Sequence, residues 1–146
     1  MEGNRIFRFG RGGFLYDLET DIYTIPGNDE IVSVNIQPGV VFRRAFQMSD
    51  RRFDMPAAEL KQIVSFLDTI RDWKTRYECA EDVLDGYGWD IEFHYRNTDF
   101  LSAGYESYPD NYWEKVSELQ TIIEDLCQKY NYEFYKPEER QLRIKL

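Results

Sequence analysis

Residues 89–96, Trp-Asp-Ile-Glu-Phe-His-Tyr-Arg, alternate without a break between apolar and polar side chains. Successive side chains of a strand point to opposite faces, so the octet reads as a half-buried strand. Trp89, Ile91, Phe93 and Tyr95 form its oily side, and Asp90, Glu92, His94 and Arg96 its wet side. Asn97-Thr98-Asp99 turns the chain into a second strand, Phe100–Tyr105. A ribbon of this kind is stable only if something covers its oily side, and two segments of helical period supply the cover. Leu60, Ile63, Val64, Leu67, Ile70 and Trp73 recur at helical spacing over 56–77, with Asp54 as N-cap and Pro56 in the first turn. Trp113, Val116, Leu119, Ile123, Leu126 and Tyr130 do the same from about Pro109 to Tyr130, with Ser107 or Asp110 as cap.

The first fifty residues read as four or five antiparallel strands between turns. Arg5–Phe9 is a short strand ended by a Gly10-Arg11-Gly12-Gly13 turn, and Phe14–Leu18 with Ile22–Ile25 forms a hairpin around Glu19-Thr20-Asp21. Pro26-Gly27-Asn28-Asp29 is a turn, and Ile31–Ile36 and Val40–Phe46 flank Pro38-Gly39, a pair suited to a type II turn. The alternating end, Gln141–Leu146, fits an edge strand. The expected fold is therefore α+β: an antiparallel β-sheet of about six to eight strands with two amphipathic helices packed on one face. At this length, residues 1–146 make one domain, with a β-rich part over 1–52, a helix–hairpin–helix part over 53–130 and a tail over 131–146.

Charge narrows the function. The net charge is −9. Seven arginines balance seven acids over 1–52, so the whole excess of negative charge falls in 53–146. An anion starts at a disadvantage against nucleic acid or an anionic membrane surface, and no apolar run is long enough to span a bilayer. The acidic part suits a basic protein partner steered in by charge. Met1-Glu2-Gly3-Asn4-Arg5 has no apolar stretch behind it, so the expectation is a cytoplasmic protein with reduced Cys79 and Cys127, the latter on an apolar helix stripe. The two cysteines lie far apart and His94 is the single histidine, so no zinc site and no other metal or cofactor is expected.

Catalytic candidates are few. His94 shares the wet side of its strand with Glu92, and a carboxylate beside an imidazole is the pairing of a general base with its orienting group. No nucleophile motif accompanies it. The acids Asp82, Asp85, Asp90, Glu92, Asp99, Glu106 and Asp110 follow no metal-binding spacing and read as a solvated rim. Arg43-Arg44 and Arg51-Arg52 read as partners for the protein's own acids. Tyr87, Tyr105, Tyr108, Tyr112, Tyr132 and Tyr135 fall in loops or near element ends, where a phenol beside acids suits a protein interface. The candidate contact residues are Tyr87, Asp90, Glu92, Tyr105, Glu106, Tyr108 and Tyr112.

One stretch carries a resemblance. Trp73-x-x-x-Tyr77, Asp85-Gly86-x-x-Trp89-x-Ile91-x-Phe93 and Ser102-x-Gly104-x-x-x-Tyr108-Pro109-x-Asn111-Tyr112 together resemble a pattern in small, uncharacterised bacterial proteins. In these, a DG-x-x-W strand pairs with an S-x-G strand leading into a closing helix. The likeness covers about residues 57–126. It implies that fold and a bacterial origin, and carries no activity or site. The expected function is a non-catalytic protein-binding module, immunity- or inhibitor-like, that presents an acidic face to a basic partner. The alternative is a small hydrolase-like enzyme using Glu92, His94 and neighbouring carboxylates.

Overall fold

The computed structural model describes residues 3–12, 17–38, 50–79 and 86–130. Among these residues seven strands and two α-helices follow one another: β1 (Arg5–Gly12), β2 (Asp17–Ile25), β3 (Asn28–Pro38), β4 (Arg51–Pro56), a 3-10 turn (Ala57–Glu59), α1 (Leu60–Asp68), β5 (Arg76–Glu78), β6 (Gly88–Tyr95), β7 (Thr98–Tyr105) and α2 (Tyr112–Tyr130). They form one sheet in the order β4-β3-β2-β1-β6-β7-β5. Every pairing is antiparallel except that of β5 with β7. The fold is α+β, as the alternating and helical periods require.

Register explains the two faces. Phe7 of β1 stands opposite Ile22 of β2 and Phe93 of β6, and Ile22 stands opposite Val34 of β3. Those side chains join Phe9, Val32, Phe53, Met55, Trp89 and Ile91 in one apolar cluster with Leu60, Ile63, Phe66 and Leu67 of α1 and Val116, Leu119, Ile123 and Leu126 of α2. Arg11 and Arg51, on the same face at the end of the core, reach Gln120 and Glu124 of α2, each at 3.3 Å. Cys127 is buried in this cluster. The other face carries Arg8, Glu19, Asp21, Asn35, Asp90, Glu92 and His94.

Several expected elements differ. Glu19-Thr20-Asp21 is no turn but the middle of β2, laddered to β1 and to β3. Thr20, a polar residue only 1% exposed, sits on the core face, which hides the alternation of Leu18, Thr20 and Ile22. Gly10 to Gly12 is also strand, paired with both β2 and β6. Glycine at position 10 makes room for a side chain: a Cβ there would lie 2.8 Å from both the Arg8 guanidinium and the Asp90 carboxylate. Asp54 caps no helix; it lies in β4 opposite Ser33, and Phe53 and Met55 face the core. Pro56 ends that strand, where a missing N–H is tolerated.

The first helix stops at Asp68 instead of 77. Ile70 and Trp73 nevertheless stay buried, because the bonds Ile70 N–H to Leu67 O and Trp73 N–H to Ile70 O continue a three-residue repeat beyond the helix. Arg76–Glu78 then becomes β5. The turn between β6 and β7 falls at Arg96-Asn97, with Arg96 at φ 55, one position earlier than expected. Of the expected Pro26-Gly27-Asn28-Asp29 turn, Pro26-Gly27 turns, with Gly27 at φ 79, whereas Asn28 and Asp29 already belong to β3. The expected Val40–Phe46 strand, the Pro38-Gly39 turn beyond Pro38, Arg43, Arg44, Asp82, Asp85, Tyr132, Tyr135 and the tail strand lie outside the described residues.

Candidate functional site

On the wet face, His94 stands directly opposite Asp99 across β6 and β7, with Glu92 two residues away on the same side. Its Nδ1 is 2.8 Å from Asp99 Oδ1 and its Nε2 is 2.9 Å from Glu92 Oε1. Both ring nitrogens therefore face carboxylate oxygens. Hydrogen bonding to Asp99 raises the imidazole pKa above its usual value; burial opposes it, and the hydrogen bond to Glu92 and the charges of both carboxylates add to the rise. The arrangement favours the protonated ring, and each nitrogen is already engaged by a carboxylate.

Asp90 and Glu92 are not bare acids. Arg8 Nε donates to Asp90 at 2.7 Å, Arg8 also bonds Glu19, and Arg5 lies 3.8 Å from Glu92. Burial, outweighing Arg8, still raises the Asp90 pKa. Asp21, 3% exposed, lies 3.7 Å from Arg5 and 3.9 Å from Arg8, and its pKa is raised because burial outweighs both guanidiniums. Its Oδ1 and the Oδ1 of Asn35, directly opposite on β3, have no hydrogen-bond partner among the described residues. Among those residues no group of three or more His, Cys, Asp and Glu is placed to hold a metal ion.

The aromatic residues gather elsewhere, at the end of the sheet where β6 begins and β7 ends. Trp89 packs 5.6 Å from Trp73, 5.8 Å from Tyr77 and 4.9 Å from Tyr112. Both buried indoles are anchored: Trp73 Nε1–H donates to Asn111 Oδ1 and Trp89 Nε1–H to Ser107 O, each at 3.0 Å. Gly104 leaves the space for this, since a Cβ there would lie 2.5 Å from Trp89 Nε1 and 2.5 Å from Ser107 O. Ser102, fully buried, donates to Lys74 O at 2.6 Å. Trp73, Trp89, Ser102, Gly104, Asn111 and Tyr112 of the pattern thus converge on one packed node, while Gly86 lies against Tyr105 and Glu106 outside it.

Around that node lies a solvent-facing rim. Trp113 is 57% exposed and packs 5.4 Å from Tyr87, 5.5 Å from Tyr108 and 4.9 Å from Tyr112. Tyr105, 41% exposed, bonds Gly86 N–H through its hydroxyl, and Leu101 is 45% exposed on the same strand. Glu106, at φ 51, turns its carboxylate onto Tyr87 N–H. Burial and the charge of Glu106 together raise the Tyr108 pKa. A shallow groove of about 590 Å³ between α1 and α2 starts one residue beyond Trp113, floored by Phe66 and Ile122 and edged by Glu114 and Glu118.

Of the expected contact residues, Tyr87, Tyr105, Glu106 and Tyr108 come together here, while Asp90 and Glu92 lie in the ion-pair network of the wet face. Tyr112 is fully buried and bonds Tyr87 hydroxyl to hydroxyl at 2.9 Å. Burial pushes its pKa upward. Trp113, placed by periodicity in the core stripe, is the most exposed ring among the described residues. Tyr112 and Trp113 are neighbours on a helix and so point about 100° apart, which means that only one of them faces the core.

Comparison with protein-family models, curated proteins and solved structures finds no match for this chain. Among the described residues no helix is long and apolar enough to cross a membrane.

Proposed function

We propose that this protein is a non-catalytic protein-binding module whose contact surface is the aromatic rim of Trp113, Tyr108 and Tyr87, and that its partner is basic. The observation that carries the reading is Trp113: a tryptophan 57% exposed, seated on three tyrosine rings instead of hanging free. Held aromatic rings lose little conformational freedom on contact, and Trp and Tyr dominate the strongly contributing positions of interfaces. The excess negative charge of 53–146, with Glu106 beside Tyr108 and Glu114 along the neighbouring groove, selects a cationic partner.

The test uses the full chain as bait in a native lysate beside a Trp113→Ala, Tyr108→Ala variant. The expected result is capture of a basic protein by the wild type, weakening as salt rises and lost in the variant. Capture of the same proteins by both baits would overturn the reading. His94→Ala is expected to leave capture unchanged.

A further inference from the structure

Resting on that reading, we propose that the exposed face of the Trp113 indole receives an arginine side chain of the partner, its guanidinium stacked flat on the ring. Three observations point to this ligand. First, the indole is fixed: Tyr87 and Tyr108 meet it at 48° and 40°, and Tyr112 edge-on at 88°. A stacking surface that is already in place costs little to organise when a ligand arrives.

Second, the fold places its own cations over other ring faces. Arg11 lies 5.6 Å from the Phe9 centroid, Lys74 5.9 Å from Tyr77, Arg96 5.1 Å from Tyr95 and Lys129 5.2 Å from Tyr130. Trp113, whose indole attracts cations more strongly than Phe or Tyr, has no such cation among the described residues.

Third, carboxylates stand beside the rim. Asp110, exposed, lies three residues earlier in the turn that opens α2, and the charge of Glu106 reaches the neighbouring Tyr108 phenol. A guanidinium satisfies both demands, since it is planar, weakly hydrated and able to pair with a carboxylate while stacked; an ammonium offers only a point charge.

The three tryptophans provide the assay with internal controls. In a proton–nitrogen correlation spectrum of the labelled full chain, three indole N–H peaks are expected, assigned by Trp113→Phe. The probes are blocked Gly-Arg-Gly, Gly-Lys-Gly and Gly-citrulline-Gly peptides at millimolar concentration. The arginine peptide is expected to move the Trp113 peak progressively with concentration and to leave Trp73 and Trp89 in place, because their N–H groups are committed to Asn111 and Ser107. Citrulline, planar but neutral, is expected to bind about two- to fivefold more weakly, the worth of an exposed cation–π contact. A stationary Trp113 peak, or equal response to arginine and citrulline, would overturn the inference. If that happens while Trp113→Ala still abolishes capture of the partner, the binding reading survives without the arginine. If Trp113→Ala leaves capture intact, the binding reading itself fails.

Discussion

Gly104→Ala is the sharpest perturbation available in this fold. The backbone at Gly104 is one that any residue adopts, so the effect of an added methyl is steric alone. That methyl would sit 2.5 Å from Ser107 O, 2.5 Å from Trp89 Nε1 and 2.8 Å from Trp89 Cε2. Moving the indole relieves only one of these clashes; the backbone at Ser107 must shift as well, and displacing both disrupts the 3.0 Å bond between them. Overpacking a core costs about 1–3 kcal/mol and an unsatisfied buried donor about 1–3 kcal/mol; with partial relaxation we expect a loss of about 2–4 kcal/mol. Set against a usual stability of about 5–15 kcal/mol, the variant folds but is visibly weakened. Urea unfolding followed by circular dichroism measures it, as a lower midpoint at unchanged slope. Repeating the substitution in a Trp89→Phe background removes the indole nitrogen, and a coupling of about 0.5–3 kcal/mol between the two sites is expected. A cost below about 0.5 kcal/mol, or no coupling, would refute the claim that Gly104 exists to seat Trp89.

Three further outcomes follow from the wet face and the node. The His94 pKa is raised in the folded state, so its ion pairs stabilise fully below the unfolded value of about 6.5 and are lost as pH rises through the higher folded value. For so exposed a group the change is about 0.2–1 kcal/mol, read as a stability difference across that window that vanishes in His94→Ala. Asp21→Asn is expected to raise thermal stability at neutral pH, by about 1 kcal/mol, because burial outweighs the two arginines and Asn35 Oδ1 gains a donor; a lower melting temperature would show that the arginines dominate. Ser102→Ala removes the hydroxyl that bonds Lys74 O inside the core and is expected to cost about 1 kcal/mol in urea unfolding, whereas an unchanged midpoint would count against that bond.

The parts of the fold legible in the sequence are those written in local periodicity. The β6 and β7 ribbon follows from alternation, α2 from its apolar stripe, and the Pro26-Gly27 turn from φ preferences. What escaped depends on pairing across the sheet. Glu19-Thr20-Asp21 looks like a turn until β1 and β3 are seen on either side of it. Arg51–Pro56 alternates, but Asp54 and Pro56 imitate a helix start. The three-residue β5 carries no period at all and exists because β7 offers it a parallel edge. At the site, the tyrosines were visible as an unusual class of loop residue, and the acids of the wet face were visible as charges. That Arg5 and Arg8 neutralise much of that face, and that Trp113 points out while Tyr112 points in, are facts of register and of where α2 begins.

The binding reading depends on two tryptophans being locked inside and one being presented to the partner. Exchange of the three indole N–H protons after transfer to heavy water tests that division. One peak, that of Trp113, is expected to vanish at once, while those of Trp73 and Trp89 persist behind their bonds to Asn111 and Ser107. Three peaks lost together, or a protected Trp113, would contradict it.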